Sequence, residues 1–193
     1  MKKLLFVFTA IGITSLSGCA VTMTAVPAGV VETEAAFTVN ASDTWTRFPK
    51  GLNSTPGSIL TKDGVGLNQV YIVTVEDGTK MIKSPDKAKN FPTYEKGLSQ
   101  LKQVEFVTTN LSRLGFANLE PSAVEPAVVG GVDGIKMQLS GQYPNGLNMK
   151  GKVAMAENDS GLNLVMYMAP AMHYYGKDVA EVDGLINSIR FTE

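Results

Sequence analysis

The chain contains one histidine and one cysteine among 193 residues, and these two side chains limit the chemistry it can perform. A zinc site of the usual kind needs three or four Cys, His or carboxylate ligands, which His173 and Cys19 alone do not supply. A Ser-His-Asp triad needs only one histidine, so a hydrolase that uses His173 remains an alternative. No Gly-x-Ser-x-Gly motif occurs, and the Gly-x-x-x-x-Gly-Lys spacing at residues 146–152 is followed by Val153 in place of the Ser or Thr that a phosphate-binding loop requires. We expect no catalytic constellation, no metal and no cofactor other than covalent lipid.

Methionine is concentrated in the last third of the chain. Thioether sulfur is a soft ligand that suits copper(I), and Met172 precedes His173, so copper or small-ligand binding is a second alternative. Five of the six methionines fall on the inward side of predicted strands, where methionine is an adaptable core residue. We therefore predict core packing for these five. The six residues are Met137, Met149, Met155, Met166, Met168 and Met172.

Three tyrosines lie close to the single histidine in the sequence. Tyr167, Tyr174 and Tyr175 flank His173 where the last predicted strand gives way to the last predicted helix. Aromatic side chains are enriched in partner-binding surfaces, and they are also common at the edge of a core. We take these four residues as a candidate pocket or partner rim.

Cys19 ends a segment that is typical of exported proteins. Lys2 and Lys3 precede a short apolar run, as in a signal peptide, and the run is shorter than the about 20 residues that span a bilayer. The sequence Leu-Ser-Gly-Cys over residues 16–19 resembles the lipobox of bacterial lipoproteins. The resemblance implies cleavage between Gly18 and Cys19, with a diacylglycerol on the sulfur and an N-acyl chain, such as palmitate, on the freed amine.

Lipid on Cys19 would hold the protein at a membrane. Each buried methylene contributes about 0.8 kcal/mol, so two or three acyl chains form a firm anchor. Ala20 follows the cysteine, which by resemblance to enterobacterial sorting favours the outer membrane, with the domain facing the periplasm. No disulfide can form because the only cysteine carries the lipid.

The mature chain has the length of one domain. Residues 1–18 are the predicted signal peptide, residues 19–34 a lipidated N-terminal tether, and residues 35–193 a single globular domain. A flexible tether of this length spans about 20 Å. Loss of Lys2 and Lys3 changes the net charge from −1 to about −3, and no basic run remains, so nucleic acid is not an expected partner. The expected partners are the membrane, through the anchor, and an envelope protein.

The first half of the domain combines strands with one helix. Alternating apolar residues predict strands over Ala35–Asn40, Ser58–Thr61 and Asn68–Glu76, and Lys83–Gly97 is predicted to be a solvated loop. Ser99–Leu114 is predicted to be a helix with a C-cap at the following glycine. Its apolar stripe consists of Leu101, Val104, Val107, Leu111 and Leu114.

The last third predicts three antiparallel strands and a closing helix. Apolar residues alternate with polar ones from Ile135 to Tyr143, from Leu147 to Met155 and from Leu162 to Met168, which is typical of a meander with one buried face. Asp178 and Glu181 have the spacing of a helix N-terminal capping pair. Strands and helices in this order predict an α+β fold, an antiparallel sheet with helices packed on it as a two-layer sandwich.

The second half also carries motifs of a known fold. From Leu101 to Phe191 it resembles the PsbP/Mog1-like fold and proteobacterial lipoproteins built on it. The resemblance implies a domain that binds partner proteins. It does not identify any functional residue in this sequence. Its motifs are Leu114-Gly115-Phe116, Gly131-x-x-Gly134, Tyr167-x-Ala169-Pro170 and Ile186-x-Ser188-Ile189-Arg190-Phe191.

Overall fold

The computed structural model describes residues 23–49, 57–64, 66–84, 86 and 89–192. The predicted signal peptide over residues 1–18 and the lipidation site at Cys19 lie outside the described residues. Within the described part of the chain, no helix is long and apolar enough to cross a membrane.

Eleven strands and two helices make up the described fold. Eight strands form one antiparallel sheet in the order β1-β4-β5-β6-β10-β9-β8-β7, and three form a small sheet in the order β11-β3-β2. The elements are β1 (Thr24–Val26), β2 (Gly29–Val31), β3 (Phe37–Ala41), β4 (Trp45–Arg47), β5 (Ser58–Thr61), β6 (Gln69–Val75), α1 (Gln100–Leu114), β7 (Ala117–Val129), β8 (Val132–Gln142), β9 (Asn148–Asn158), β10 (Gly161–Pro170), α2 (Tyr174–Asn187) and β11 (Arg190–Phe191).

The predicted meander is confirmed as β8, β9 and β10, three long neighbouring strands. Its inward residues are buried as predicted, with two exceptions: Tyr143 follows the end of β8 and is half-buried, and Leu147 lies in the turn before β9 and is exposed. Gly134 is required where the meander begins, because a Cβ there would lie 2.2 Å from the backbone oxygen of Met155.

Strand β10 is buried on both faces because it lies in the middle of the large sheet. Leu164 and Met166 alternate with Val165 and Tyr167, and the two pairs contribute to different hydrophobic cores. The first core also contains the buried residues of α1, and the second contains those of α2. The helices therefore cover opposite faces of the sheet. The predicted α+β class is confirmed, with a helix layer on each side of the sheet instead of the single one expected.

Helix α1 has the predicted ends but a shifted buried face. Gly115 follows it in the left-handed conformation, with φ of 114°. Val107 is buried as predicted, whereas Leu101 is 76% exposed. Val107 is six positions after Leu101, so the two side chains are about 120° apart around the helix axis, and Leu101 points away from the sheet. Phe106 is buried in its place.

The predicted tether over residues 19–34 is wrong for residues 24–31, which form β1 and β2. Strand β1 pairs with β4 at the edge of the large sheet, and β2 pairs with β3. Val26 and Val31 are buried in the core under α2. These strands are three residues long, too short for alternation to distinguish them from coil.

The proline-containing segment before Gly130 is also a strand. Strand β7 forms the far edge of the large sheet, where a proline can replace an N–H group that faces solvent. Two register shifts interrupt its pairing with β8. Asn118 and Ala123 lie within these shifts with φ of 51° and 47°, so each shift is a β-bulge with a left-handed residue.

The loop over Lys83–Gly97 contributes to the core, although it was expected to be solvated. Phe91 and Tyr94 are buried between the loop and α1. Glu157 on β9 holds the loop by accepting hydrogen bonds from the Tyr94 hydroxyl and from the Gly97 backbone N–H, the latter at 2.8 Å.

Candidate functional site

The four residues of the predicted rim lie together where β10 leads into α2. Tyr167 is buried, and its hydroxyl donates to the backbone oxygen of Tyr174 at 3.0 Å. The ring of Tyr175 stacks on that of Tyr167 with centroids 5.6 Å apart. Burial raises the pKa of Tyr167, and the nearby Asp178 carboxylate raises it further. Tyr167 is thus a core residue, and Tyr174 and Tyr175 are the half-buried part of the rim.

His173 is exposed and its ring contacts the edge of Tyr174, with centroids 5.0 Å apart. Its backbone φ is 70°, and it occupies the position before the first helical residue of α2. Among the described residues, no serine or carboxylate forms a hydrogen bond with the His173 side chain. The geometry therefore does not favour the hydrolase alternative.

The six methionines are not gathered around His173 in the described structure. Five of them are buried in the core under α1, as predicted, and there they pack against aliphatic and aromatic side chains. Met172, next to His173, is 85% exposed and separate from the other five. The described residues also contain no group of three or more His, Cys, Asp or Glu side chains arranged to hold a metal ion.

The predicted capping pair of Asp178 and Glu181 is wrong, because α2 begins four residues earlier, at Tyr174. Asp178 is only 4% exposed and its carboxylate accepts a hydrogen bond of 2.7 Å from the side-chain amide of Asn68. Glu181 accepts a hydrogen bond of 2.7 Å from the indole nitrogen of Trp45 and forms an ion pair with Lys62. Both carboxylates point towards the sheet instead of the helix terminus.

Lys62 is the cation at the centre of this group. Its ammonium lies 2.9 Å from Asp43 and 4.0 Å from Asp178, and 5.1 Å above the ring of Trp45. Burial by itself lowers the pKa of Lys62, but hydrogen bonds to Glu181 and Asp43 outweigh that effect and raise it. We call Asp43, Lys62, Asn68, Asp178 and Glu181 the Lys62 cluster. Every member has a charged or polar partner, so the cluster joins α2 to the β5–β6 hairpin and leaves no unpaired group for chemistry.

The surface that remains available lies beyond α2, on the same face of the sheet. Helix α2 covers β10 and part of β9, while the polar residues of β7, β8 and the start of β9 stay partly or fully exposed. We call this surface the open face. It consists of Glu120, Ser122, Glu125, Lys136, Gln138, Ser140, Gln142, Asn148, Lys150 and Lys152.

One edge of α2 forms a wall of the open face. Lys152 donates to Asp183 at 2.5 Å, and Lys136 donates to the side-chain oxygen of Asn187 at 3.1 Å. The ammonium of Lys150 lies 5.8 Å above the ring of Tyr175. These contacts hold the side chains of the three lysines against α2. They also place the predicted aromatic rim at the boundary of the open face.

The open face contains two depressions of about 380 Å³ and about 250 Å³. A chain of side-chain amides lines the larger one. Asn118 donates to Gln142 at 3.1 Å, and Gln142 donates to Asn148 at 2.9 Å. The smaller depression lies between Lys152 and the β7 bulge at Ala123.

The open face is suited to binding. Its amides, hydroxyls and ammonium groups can donate and accept hydrogen bonds, and its charges of both signs can match a polar partner. Glu120 and Glu125 on β7 are exposed, and on the other side of the open face Lys152 is paired with the Asp183 carboxylate of α2. The outward residues of the meander could be read from the sequence, but the position of α2 that leaves them uncovered could not.

Comparisons with known proteins agree with this fold. The solution structure of cyanobacterial PsbP (CyanoP) from Synechocystis superposes with a TM-score of 0.54 at 11% identity, over 95% of this chain and 98% of that one. LpqN, described as involved in cell envelope biogenesis of Mycobacterium tuberculosis, gives a TM-score of 0.37 at 13% identity, over 92% and 88%. No family model and no curated protein matches the sequence. The first superposition confirms the predicted PsbP-like fold.

Proposed function

We propose that this protein is a lipid-anchored lipoprotein of the cell envelope whose domain is a non-catalytic accessory module. The anchor is the diacylglycerol and N-acyl chain on Cys19, and the residue after it, Ala20, favours the outer membrane facing the periplasm. The domain would bind an envelope protein through the open face. The single observation that supports binding is this exposed, polar, two-depression surface on a sheet that is otherwise covered on both sides.

The fold is consistent with this proposal. A structure with the same fold is a PsbP of a cyanobacterium, and the PsbP/Mog1-like proteins that this sequence resembles act by binding partner proteins. A binding role also fits the described residues, among which no histidine, serine and carboxylate are arranged as a triad.

Membrane anchoring is tested by intact mass and by phase partition. Mature protein from cells should begin at Cys19 and carry the added mass of three acyl chains, and it should enter the detergent phase. Cys19→Ser should remain in the aqueous phase. An unmodified thiol on a chain that still starts at Met1 would contradict the anchor.

Binding through the open face is tested by site-specific crosslinking in the intact cell envelope. A photoreactive residue replaces Ser140 on the open face or, as a matched control, Arg113 on the exposed side of α1. We expect one discrete adduct from position 140 and none from position 113. The adduct should disappear when Gln138→Arg is added, because Gln138 is the neighbouring exposed residue on the same face. Equal adducts from both positions, or none from position 140, would refute the open face as the binding surface.

A further inference from the structure

The first described strand, β1, and the open face lie towards opposite edges of the large sheet. Strand β1 is the first strand of the sheet and β7 is the last. The pairing register places Thr24 on β1 level with Tyr167 on the central strand and with Ser122 on β7. Seven strand spacings separate Thr24 from Ser122, a distance of about 33 Å along the sheet.

The connection between the lipid and the sheet is short. Because β1 begins at Thr24, only residues 20–23 separate it from Cys19. Five Cα–Cα steps reach at most about 17 Å even when fully extended. A fully flexible tether through residue 34 would have left the domain free to approach the membrane with any side, whereas this connection keeps the β1 edge close to it.

The charges of the open face do not form a basic patch that would bind the bilayer. Anionic headgroups attract clusters of lysine and arginine. On the open face Lys152 is paired with a carboxylate of α2, and the charges of Lys136 and Lys150 are balanced by Glu120 and Glu125 on β7. The domain is therefore held to the membrane at its β1 edge. Because the bilayer excludes the folded domain, the rest of the domain must lie on the aqueous side of that edge.

From this geometry we infer that the domain stands on its β1 edge, with the open face directed away from the membrane about 30 Å beyond that edge. The inference rests on the proposed lipidation of Cys19. It assigns the membrane-facing surface to β1 and β4, and it means that the partner of the open face is met in the aqueous compartment, away from the lipid surface that carries the anchor.

The experiment uses the full-length lipidated protein in vesicles of phosphatidylethanolamine and phosphatidylglycerol with acceptor-labelled headgroups. Lipidation consumes the only native cysteine, so a single introduced cysteine takes the donor dye. Thr44→Cys labels an exposed residue next to β4, and Ser122→Cys labels the open face. With a dye pair of short Förster radius, we expect clear energy transfer from position 44 and a loss of most of it at position 122.

A second variant tests whether the short connection causes the orientation. Insertion of ten Gly and Ser residues between Thr22 and Met23 should reduce the difference between the two labels. Equal or reversed transfer on a protein whose mass confirms the lipid overturns the inference and leaves the anchor in place. An unchanged difference after the insertion also overturns it. Absence of the lipid from Cys19 overturns the inference and the anchor together.

Discussion

The side-chain amide of Asn68 donates to the carboxylate of Asp178 at 2.7 Å, across 110 residues of sequence. Its second amide hydrogen reaches Asp63 at 2.9 Å, and its oxygen accepts from Thr61 at 2.7 Å. Asn68 thus organises the β5–β6 turn and attaches that turn to the middle of α2.

Asn68→Leu should destabilise the fold by about 2–4 kcal/mol, because a similar volume remains while the buried Asp178 loses its donor. Urea unfolding followed by circular dichroism measures the change. Asn187→Ala is the matched control, since that side chain is exposed and its amide oxygen accepts a hydrogen bond from Lys136, and it should change stability by no more than about 0.5 kcal/mol. Equal effects of the two substitutions would contradict the role of Asn68.

The ion pair between Lys62 and Glu181 should show coupling in a double-mutant cycle. Lys62→Met removes the cation, and Glu181→Gln removes the charge while keeping an acceptor for Trp45. We expect a coupling free energy of about 1–2 kcal/mol, because both side chains are largely shielded from water. Additive effects of the two substitutions would show that the pair contributes nothing of its own.

Tyr167→Phe should lower stability by about 1 kcal/mol at neutral pH, through loss of the bond to Tyr174. Burial raises the pKa of Tyr167 above that of an unfolded tyrosine. The contribution of the Tyr167 hydroxyl to the free energy of unfolding is therefore constant below its pKa in the unfolded chain, about 10. That contribution falls as the pH rises towards the pKa of Tyr167 in the folded protein. The phenylalanine variant cannot ionise, so its deficit should shrink above about pH 10. Urea unfolding across this range measures both effects, and a deficit independent of pH would refute the prediction.

Two glycine-to-alanine substitutions should change the free energy of unfolding in opposite directions. Gly134→Ala places a Cβ against the Met155 oxygen and should cost at least about 2 kcal/mol, as overpacking against rigid backbone does. Gly184→Ala lies in α2 with open space around the new methyl group and should stabilise by about 0.5–1 kcal/mol, since alanine favours a helix more than glycine does. Thermal unfolding distinguishes them, and a Gly134→Ala variant as stable as the parent would contradict the contact at Gly134.

The bulges of β7 permit a similar paired test. Ala123 has φ of 47°, a conformation that costs a non-glycine residue about 1–2 kcal/mol. Ala123→Gly relieves that cost and should stabilise by a few tenths of a kcal/mol to about 1 kcal/mol after the added chain entropy. Ala117→Gly, in the same strand with ordinary φ, should destabilise by about 0.5–1 kcal/mol. If both variants lose stability equally under urea, the left-handed conformation at Ala123 is refuted.

The meander could be predicted from the sequence because its strands are ten or eleven residues long. Alternation of apolar and polar residues over that length indicates a strand with one buried face, and turn residues mark the ends of each strand. Strands β1 and β2 have three residues each, and β7 contains two prolines, so none of them carries that signal. Their pairing depends on tertiary contacts with β4, β3 and β8.

The three-residue spacing of Asp178 and Glu181 is compatible with two arrangements, a capping pair at a helix start and a pair of carboxylates on one side of a helix. Residues three apart in a helix lie on the same side of it, and the same interval defines a capping pair. Only the position of Lys62, more than a hundred residues earlier in the chain, shows that the carboxylates form ion pairs. The rim residues were predicted at the correct junction, but the open face beside them depends on how far α2 extends across the sheet.

The two prolines and two bulges of β7 have a consequence for many copies held side by side. A long, regular edge strand is a template on which the same strand of a neighbour can add, and confinement to a surface would bring such edges together repeatedly. Pro121 and Pro126 remove hydrogen-bond donors, and the bulges twist the edge out of register. The β7 edge is therefore a poor template for pairing with the same edge of a neighbouring copy.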